Sequence, residues 1–226
     1  MQTIVLLSGG LDSATVLALC RAEGKTCHAL SFRYGQRHHL EIESAGRVAR
    51  ALGAASHRIC TIDAGCLSGS ALTGQGDIPK GRSEDEIAHG IPSTYVPARN
   101  TLFVAHALAL AETIGADEIA LGINALDYSG YPDCRPEWLV AIQEVARLGT
   151  KVGVSGHSIQ LIAPLVSMSK ADIIRTGARL GLDYGLTMSC YDPSSDGKAC
   201  GACDSCQLRR RGFEQARVPD PTRYRS

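Results

Sequence analysis

Short β-branched apolar runs alternate along this chain with stretches whose apolar residues recur at helical spacing. The first run, Thr3–Leu7, is long enough for one buried strand. A Ser8-Gly9-Gly10 turn follows. Leu11–Arg21 then sets Leu11, Ala14, Leu17 and their neighbours on a helical stripe, and Gly24 supplies a stop. Thr26–Phe32 predicts a second strand, His38–Leu52 a polar helix ended by Gly53, and His57–Ile62 a third strand. After an interruption the alternation resumes. It runs through a helix over Thr101–Gly115, a strand over Glu118–Ile123, a proline-started helix over Pro136–Leu148 and a strand over Ser158–Leu165. A helix over Ser169–Leu180 opens with S-K-A-D, close to a capping box. Strand–helix alternation of this kind implies βαβ units: an α/β fold with an open parallel sheet and helices on both faces.

Two stretches break the pattern. Residues 64–98 are rich in glycine and proline, carry the charged tract Lys80–Glu86 and show little periodicity. A segment that long inside a compact domain is usually functional, so it reads as an active-site flap or excursion. Residues 124–135 form a loop of polar and aromatic groups. The expected organisation is one α/β domain over 1–186 and a small cysteine-bearing segment over 187–226.

Composition narrows the function classes. Lys+Arg 23 balances Asp+Glu 23, so bulk attraction to nucleic acid or to an anionic membrane is disfavoured, although a local basic patch stays open. No run approaches the roughly 18 apolar residues of a membrane span, and the opening MQTIVLLSGG lacks a basic n-region. A cytoplasmic protein is expected. Nine cysteines are many for that compartment. Cys190, Cys200, Cys203 and Cys206 crowd toward the C-terminus, while Cys20, Cys27, Cys60, Cys66 and Cys134 are scattered. Clustering suggests a metal site, with the scattered thiols acting as small buried hydrophobes.

The chemistry starts at SGGLDS, Ser8–Ser13, between the first strand and the first helix. Backbone N–H groups at a helix N-terminus are unpaired and sit at the positive end of the dipole. Gly9 and Gly10 let the backbone curve around an anion, Leu11 opens the helix, and Ser8 and Ser13 add hydroxyls. Asp12 would repel a phosphate unless a Mg²⁺ lay between them. A glycine turn with an N-capping side chain is the plainer reading of such a segment. Its position directly after the first strand favours the phosphate cradle. The segment is neither the P-loop pattern nor G-x-G-x-x-G.

Cys190-x9-Cys200-x2-Cys203-x2-Cys206 offers four thiolates without histidine, the donor set of a closed tetrahedral Zn²⁺ site. An iron–sulfur cluster competes, since four cysteines serve there too; the absence of a following Cys-Pro favours zinc. A closed shell leaves no open position for chemistry, so the expected role is structural.

SGGLDS at the first strand–helix turn resembles the pyrophosphate loop of the N-type ATP pyrophosphatases, the PP-loop superfamily with its adenine nucleotide alpha hydrolase-like fold. Within them the chain is similar to the 7-cyano-7-deazaguanine synthase family of queuosine biosynthesis. The stretches that carry the likeness are LLSGGLDSAT (6–15), SFRYGQRHHLEIESA (31–45), TYVPARNTLFVAHALALAE (94–112), LGINALDYSGYPDCRPEW (121–138), PLVSMSKADIIRTGARLG (164–181) and TMSCYDP with CGACDSCQLRRRGF (187–213). The resemblance implies an ATP-dependent ligase that turns 7-carboxy-7-deazaguanine and ammonia into 7-cyano-7-deazaguanine, through an activated carboxylate and an amide. It also implies a homodimer.

The same resemblance implies roles for individual residues. Asp12, Arg99 and Lys170 are the expected catalytic groups. Lys170 sits just inside a helix N-terminus, where a bound anion better explains a cation; a solvated surface lysine is its alternative, and a surface salt bridge is that of Arg99. Tyr34, Gln36 and Arg37 follow the second strand, where open α/β sheets bind ligands. Asn124, Asp127, Tyr128, Tyr131, Asp133 and Arg135 follow the fourth. A carboxylate such as Asp127 or Asp133 suits the amidine edge of a deazapurine, and tyrosine suits stacking. Turn formation is the alternative for those aspartates. Cys134 and His106 read as packing residues. A PP-loop tRNA-thiolating enzyme is the rival reading. A zinc-ribbon nucleic-acid module using Arg209–Arg211 is another, although those arginines are better placed to cap the last helix and offset the thiolates. Ammonia would come free or from a partner.

Overall fold

The computed structural model describes residues 1–37, 39–74, 76–83, 86–87, 90–126 and 130–225. Its centre is a five-stranded parallel sheet in the order β3-β2-β1-β4-β5, built from β1 (Gln2–Leu6), β2 (Thr26–Arg33), β3 (Ser56–Thr61), β4 (Glu118–Ala120) and β5 (Gln160–Ile162). β1 is central and pairs with β2 from Gln2↔Thr26 to Leu6↔Leu30 and with β4 from Thr3↔Glu118 to Val5↔Ala120. The chain first winds outward through α1 (Leu11–Ala22) and α2 (Leu40–Ala51) to β3. It then crosses back, and α3 (Arg99–Ile114) leads into β4 on the other side of β1. The order therefore reverses between β1 and β4, and a crevice opens there beyond the strand C-termini.

Period two explains the two-sided core. Val5, Leu7, Cys27 and Ala29 join one buried cluster with α1, α2, α6 (Lys170–Arg179) and α7 (Asp204–Ala216). Ile4, Leu30 and Phe32 join the other, with α3 and α4 (Pro136–Gly149). Strands covered on both faces read as continuous apolar runs, which is why the sequence shows no alternation there. A third, smaller cluster holds Cys190, Cys203 and Cys206 with Ile78 and Ala199.

Several element ends differ from the sequence reading. β4 stops at Ala120 rather than Ile123. Leu121 N still donates to Ile162 O, but Gly122 then packs on the start of α1, where an added Cβ would lie 3.1 Å from Ser13 N. β5 spans three residues rather than 158–165, because the Gln143 side chain takes over at its start, donating to Ser158 Oγ and Ile159 O. A short α5 (Lys151–Val154), capped by Thr150 Oγ1, follows α4 and was not anticipated. α2 begins at Leu40 and α3 at Arg99. The 64–98 stretch meets the cysteine segment: Gly81 N donates to Ala202 O, and Lys80 bridges Cys203 in an antiparallel pair.

Candidate active site

Ser8–Ser13 links β1 to α1 at the crevice and is closed by its own hydroxyls. Ser8 N donates to Ser13 Oγ at 3.2 Å, the two Oγ atoms lie 3.0 Å apart, and Gly10 N donates to Ser8 Oγ at 3.3 Å. Gly9 adopts φ +87°, the left-handed region that glycine supplies. An added Cβ there would lie 2.3 Å from Glu41 O and 2.6 Å from Ala45 N, so the loop is seated directly on α2. Gly10 faces no such obstruction; its nearest neighbour would be Ser8 Oγ at 3.4 Å. One glycine answers to helix packing, whereas at the other a Cβ would meet only ordinary van der Waals contacts.

The cysteine segment completes the loop. Met188 N donates to Gly9 O at 2.9 Å, and Leu11 N donates to Ser189 Oγ at 3.3 Å. Ser189 is held in turn by Ser205 Oγ, which donates to its carbonyl at 2.6 Å. Arg209 lies below, 3% exposed, donating to Thr187 Oγ1, Tyr184 O and Asp220 Oδ1. Arg209 thus braces the loop's support instead of offsetting the thiolates, and Arg210 stacks on Tyr224.

Asp12 and Lys170 meet. Lys170 Nζ donates to both Asp12 carboxylate oxygens, at 2.7 and 2.9 Å, with both side chains largely buried. The anion beside Lys170 is therefore a carboxylate of the Ser8–Ser13 loop itself. Ser169 Oγ accepts from Asp172 N and fixes the start of α6, as the capping pattern suggested. Gly212 of α7 lets the lysine stem lie flat: an added Cβ would come within 2.4 Å of Lys170 Cγ.

The cleft above the loop is about 210 Å³ and is lined by Tyr34, Arg99, Phe103, Tyr131 and Glu41, besides the loop and Lys170. Arg99 opens α3 after Ala98, which takes φ +51° without being glycine, an uncommon conformation concentrated at functional sites. Its Nη1 reaches Tyr34 Oη at 3.4 Å, its guanidinium lies 5.8 Å from the Tyr34 and Phe103 ring centres, and its buried Nε has no partner among the described residues.

The expected substrate residues divide. Tyr34 and Tyr131 line the cleft, and Tyr131 Oη is tied to Thr94 Oγ1 at 2.7 Å. Gln36 lines it too, but its amide holds the β2–α2 turn, accepting from Tyr34 N and donating to Phe32 O. Arg37 turns to the carbonyls of Gly74 and Gly76. Asn124 is fully buried and donates to Leu165 O and Met168 O. Asp133 is spent on α3: its carboxylate accepts from Asn100 N at 2.9 Å and supplies the cap that Ala98 lacks. Arg135 is the residue before α4 and is exposed. Asp127 and Tyr128 lie outside the described residues. Cys134 packs as expected: burial pushes its thiol up to about 12, far from a thiolate nucleophile.

Glu41 is the cleft group that sequence reasoning missed. It lies on the first turn of α2, and burial pushes its carboxyl up to about 7 while Arg99 pulls the other way. A carboxyl whose folded pKa exceeds its unfolded value binds more protons when folded, so stability falls as pH rises from about 4.5 toward 7. Thermal melts of the unliganded chain are expected to show that slope, and Glu41→Gln is expected to flatten it. An unchanged slope in the variant would place the titration elsewhere.

The Sγ atoms of Cys190, Cys200, Cys203 and Cys206 all lie within 4.8 Å of one another, with Cys200 and Cys206 at 3.9 Å. Sulfurs at about 2.3 Å from a tetrahedral ion sit roughly 3.8 Å apart, so the set fits a metal. Cys200 N donates to Cys190 Sγ and Cys203 N to Cys200 Sγ, the N–H partners a thiolate shell needs.

Comparison with known proteins follows the same lines. The "4-thiouridine synthetase - RNA complex with bound ATP" shares the fold, with TM-score 0.51 at 17% identity over 99% of this chain and 47% of that one. The 7-cyano-7-deazaguanine synthase of Myxococcus xanthus is 55% identical over 99% of this chain and 97% of its own length. That of Methylococcus capsulatus is 56% identical over 99% and 98%. The family model described as "Queuosine biosynthesis protein QueC" matches residues 2–217. With its Ser8–Ser13 loop, cleft and four-cysteine cluster all inside the matched region, the chain belongs to the QueC family.

Proposed function

We propose that the chain is an ATP-dependent ligase that converts 7-carboxy-7-deazaguanine and ammonia to 7-cyano-7-deazaguanine. One observation carries the reading: a hydroxyl-closed phosphate loop, bearing the Asp12–Lys170 pair, opens into an aromatic-walled cleft large enough for a heterocycle. The curated relatives' name favours this over tRNA thiolation.

A carboxylate oxygen is a poor leaving group, so activation precedes amination. The substrate carboxylate attacks the α-phosphorus of ATP, and pyrophosphate leaves into the Ser8–Ser13 loop. Ammonia adds to the acyl adenylate, and AMP and a proton depart, leaving the amide. The amide oxygen attacks a second ATP, releasing pyrophosphate and a proton, and loss of AMP and a second proton then gives the nitrile. The chain contributes position and charge: loop N–H groups and Lys170 meet the phosphates, and Arg99 meets developing negative charge. Asp12 would hold the nucleotide's Mg²⁺, which neutralises phosphate charge; a carboxylate has lone pairs enough to keep Lys170 as well. The four thiolates take Zn²⁺ in a structural role, the active form is a homodimer in the cytoplasm, and ammonia arrives free or from a partner.

Substrate labelled with ¹⁸O in its carboxylate tests the route. Label is expected in AMP, and 7-amido-7-deazaguanine with ATP alone is expected to yield the nitrile. Label in inorganic phosphate, with none in AMP, would mean acyl-phosphate chemistry.

A further inference from the structure

We infer that Glu41 and Arg99 together read the 2-amino-4-oxo edge of the heterocycle, which makes Glu41 a specificity-determining residue. The inference rests on the substrate class proposed above. A guanine-like edge presents two adjacent donors, the exocyclic amine and the ring N–H, and then an acceptor, the lactam oxygen. Its complement is a pair of acceptors beside a donor.

The cleft holds that complement. The Glu41 carboxyl lines it and has no hydrogen bond or ion pair among the described residues. Arg99, which carries donors only, lies within electrostatic reach of it, and its Nε has no partner among the described residues. Apolar and aromatic side chains surround them: Phe32, Tyr34, Phe103 and Tyr131. Phe32 and Phe103 are stacked with ring centres 4.0 Å apart, so this wall is rigid. Unmet acceptors and an unmet donor between flat apolar walls call for a planar ligand with matching polar edges.

Among the described residues, the competing carboxylates are engaged elsewhere. Asp133 caps α3 and Asp12 pairs with Lys170. An adenine edge pairs one donor with one acceptor, so it would leave one Glu41 oxygen facing a lone pair. Ligand donors would also favour the ionised carboxylate and offset the burial that raises its pKa.

The test compares 7-carboxy-7-deazaguanine with the same compound lacking its 2-amino group. Binding is measured by calorimetry and turnover by nitrile formation, on the whole chain and on Glu41→Gln. The unmodified chain is expected to bind the 2-amino compound about 100-fold tighter, the scale of one hydrogen bond to a charged acceptor. Glu41→Gln is expected to lose most of that discrimination and raise the KM for the 2-amino compound to a similar degree. Its kcat should stay within about threefold and its KM for ATP within about twofold. Equal binding of both compounds by the unmodified chain, a requirement that needs no variant, would overturn the inference. So would discrimination retained in Glu41→Gln, a rise in the KM for ATP instead, or a fall in kcat with KM unchanged. Discrimination lost in the variant, with no nitrile formed by either protein, would uphold Glu41 and sink the proposed reaction.

Discussion

Asp12→Asn is expected to lower turnover about a thousandfold while the chain still folds, the scale seen when one preorganised electrostatic group is removed. The amide keeps one oxygen for the Lys170 ammonium, so the buried cation is not left without an acceptor. What it loses is the negative charge that would hold Mg²⁺ against the phosphates. Turnover measured across a Mg²⁺ titration should therefore show a higher metal requirement as well as a lower plateau. Metal-free nucleotide should bind the variant at least as well as the unmodified chain, because Lys170 then faces the phosphates with less competition. Near-normal turnover with an unchanged Mg²⁺ dependence would remove Asp12 from this role. Lys170→Met reverses the imbalance and leaves a carboxylate in the phosphate loop without its cation. That variant is expected to lose nucleotide binding itself.

The second large effect is expected at the cysteine cluster. Purified chain should carry about one Zn²⁺, and Cys203→Ser should lose it. A structural zinc site is worth roughly 10–16 kcal/mol in peptides, of which the loss of one ligand forfeits a substantial part. At about 5 kcal/mol, the melting temperature would fall by roughly 10–20 °C for a chain of this size. The fall should not stop at the C-terminal segment. Met188 and Ser189 directly precede the ligand Cys190 and are hydrogen-bonded to Gly9 and Leu11. ATP affinity should therefore drop along with stability, although none of the four clustered cysteines lines the cleft. Iron and sulfide in place of zinc would overturn the metal assignment. ATP affinity unchanged in metal-free chain that remains folded would overturn the link to the loop.

Local signals were the legible ones. The loop at Ser8–Ser13 and the four cysteines are each defined by spacing, and folding keeps near neighbours near. The strand order could be argued only as far as a parallel sheet, because sequential strands do not announce on which side of β1 the chain returns. Groups whose meaning depends on distant partners were harder. Lys170 and Asp12 are 158 positions apart, so the lysine's anion could be inferred but not identified. Asp133 sits in a turn, as turn aspartates do, yet its task is to cap a helix that begins at Arg99. Glu41 looks like any carboxylate on a polar helix face; periodicity separates polar from apolar faces but cannot tell solvent from a cleft. The SFRYGQRHHLEIESA stretch contains it, but that stretch carried only the family likeness and singled out no residue of the helix.

The hydrogen bond from Leu11 N to Ser189 Oγ spans 178 positions. A ribosome releases the Ser8–Ser13 loop long before its support, which follows 178 positions later. An unfinished chain can lay down β1 and α1, but it holds the loop without the brace that Met188, Ser189 and Arg209 provide. Closing so long a loop adds little entropy cost beyond a shorter one, about 0.6 kcal/mol per doubling, so the delay is a matter of timing more than stability. Nascent chains of this protein should therefore bind nucleotide weakly until α7 has emerged. Competence for ATP then arrives only once that helix is made, and a chain cut short before it is spared futile nucleotide cleavage.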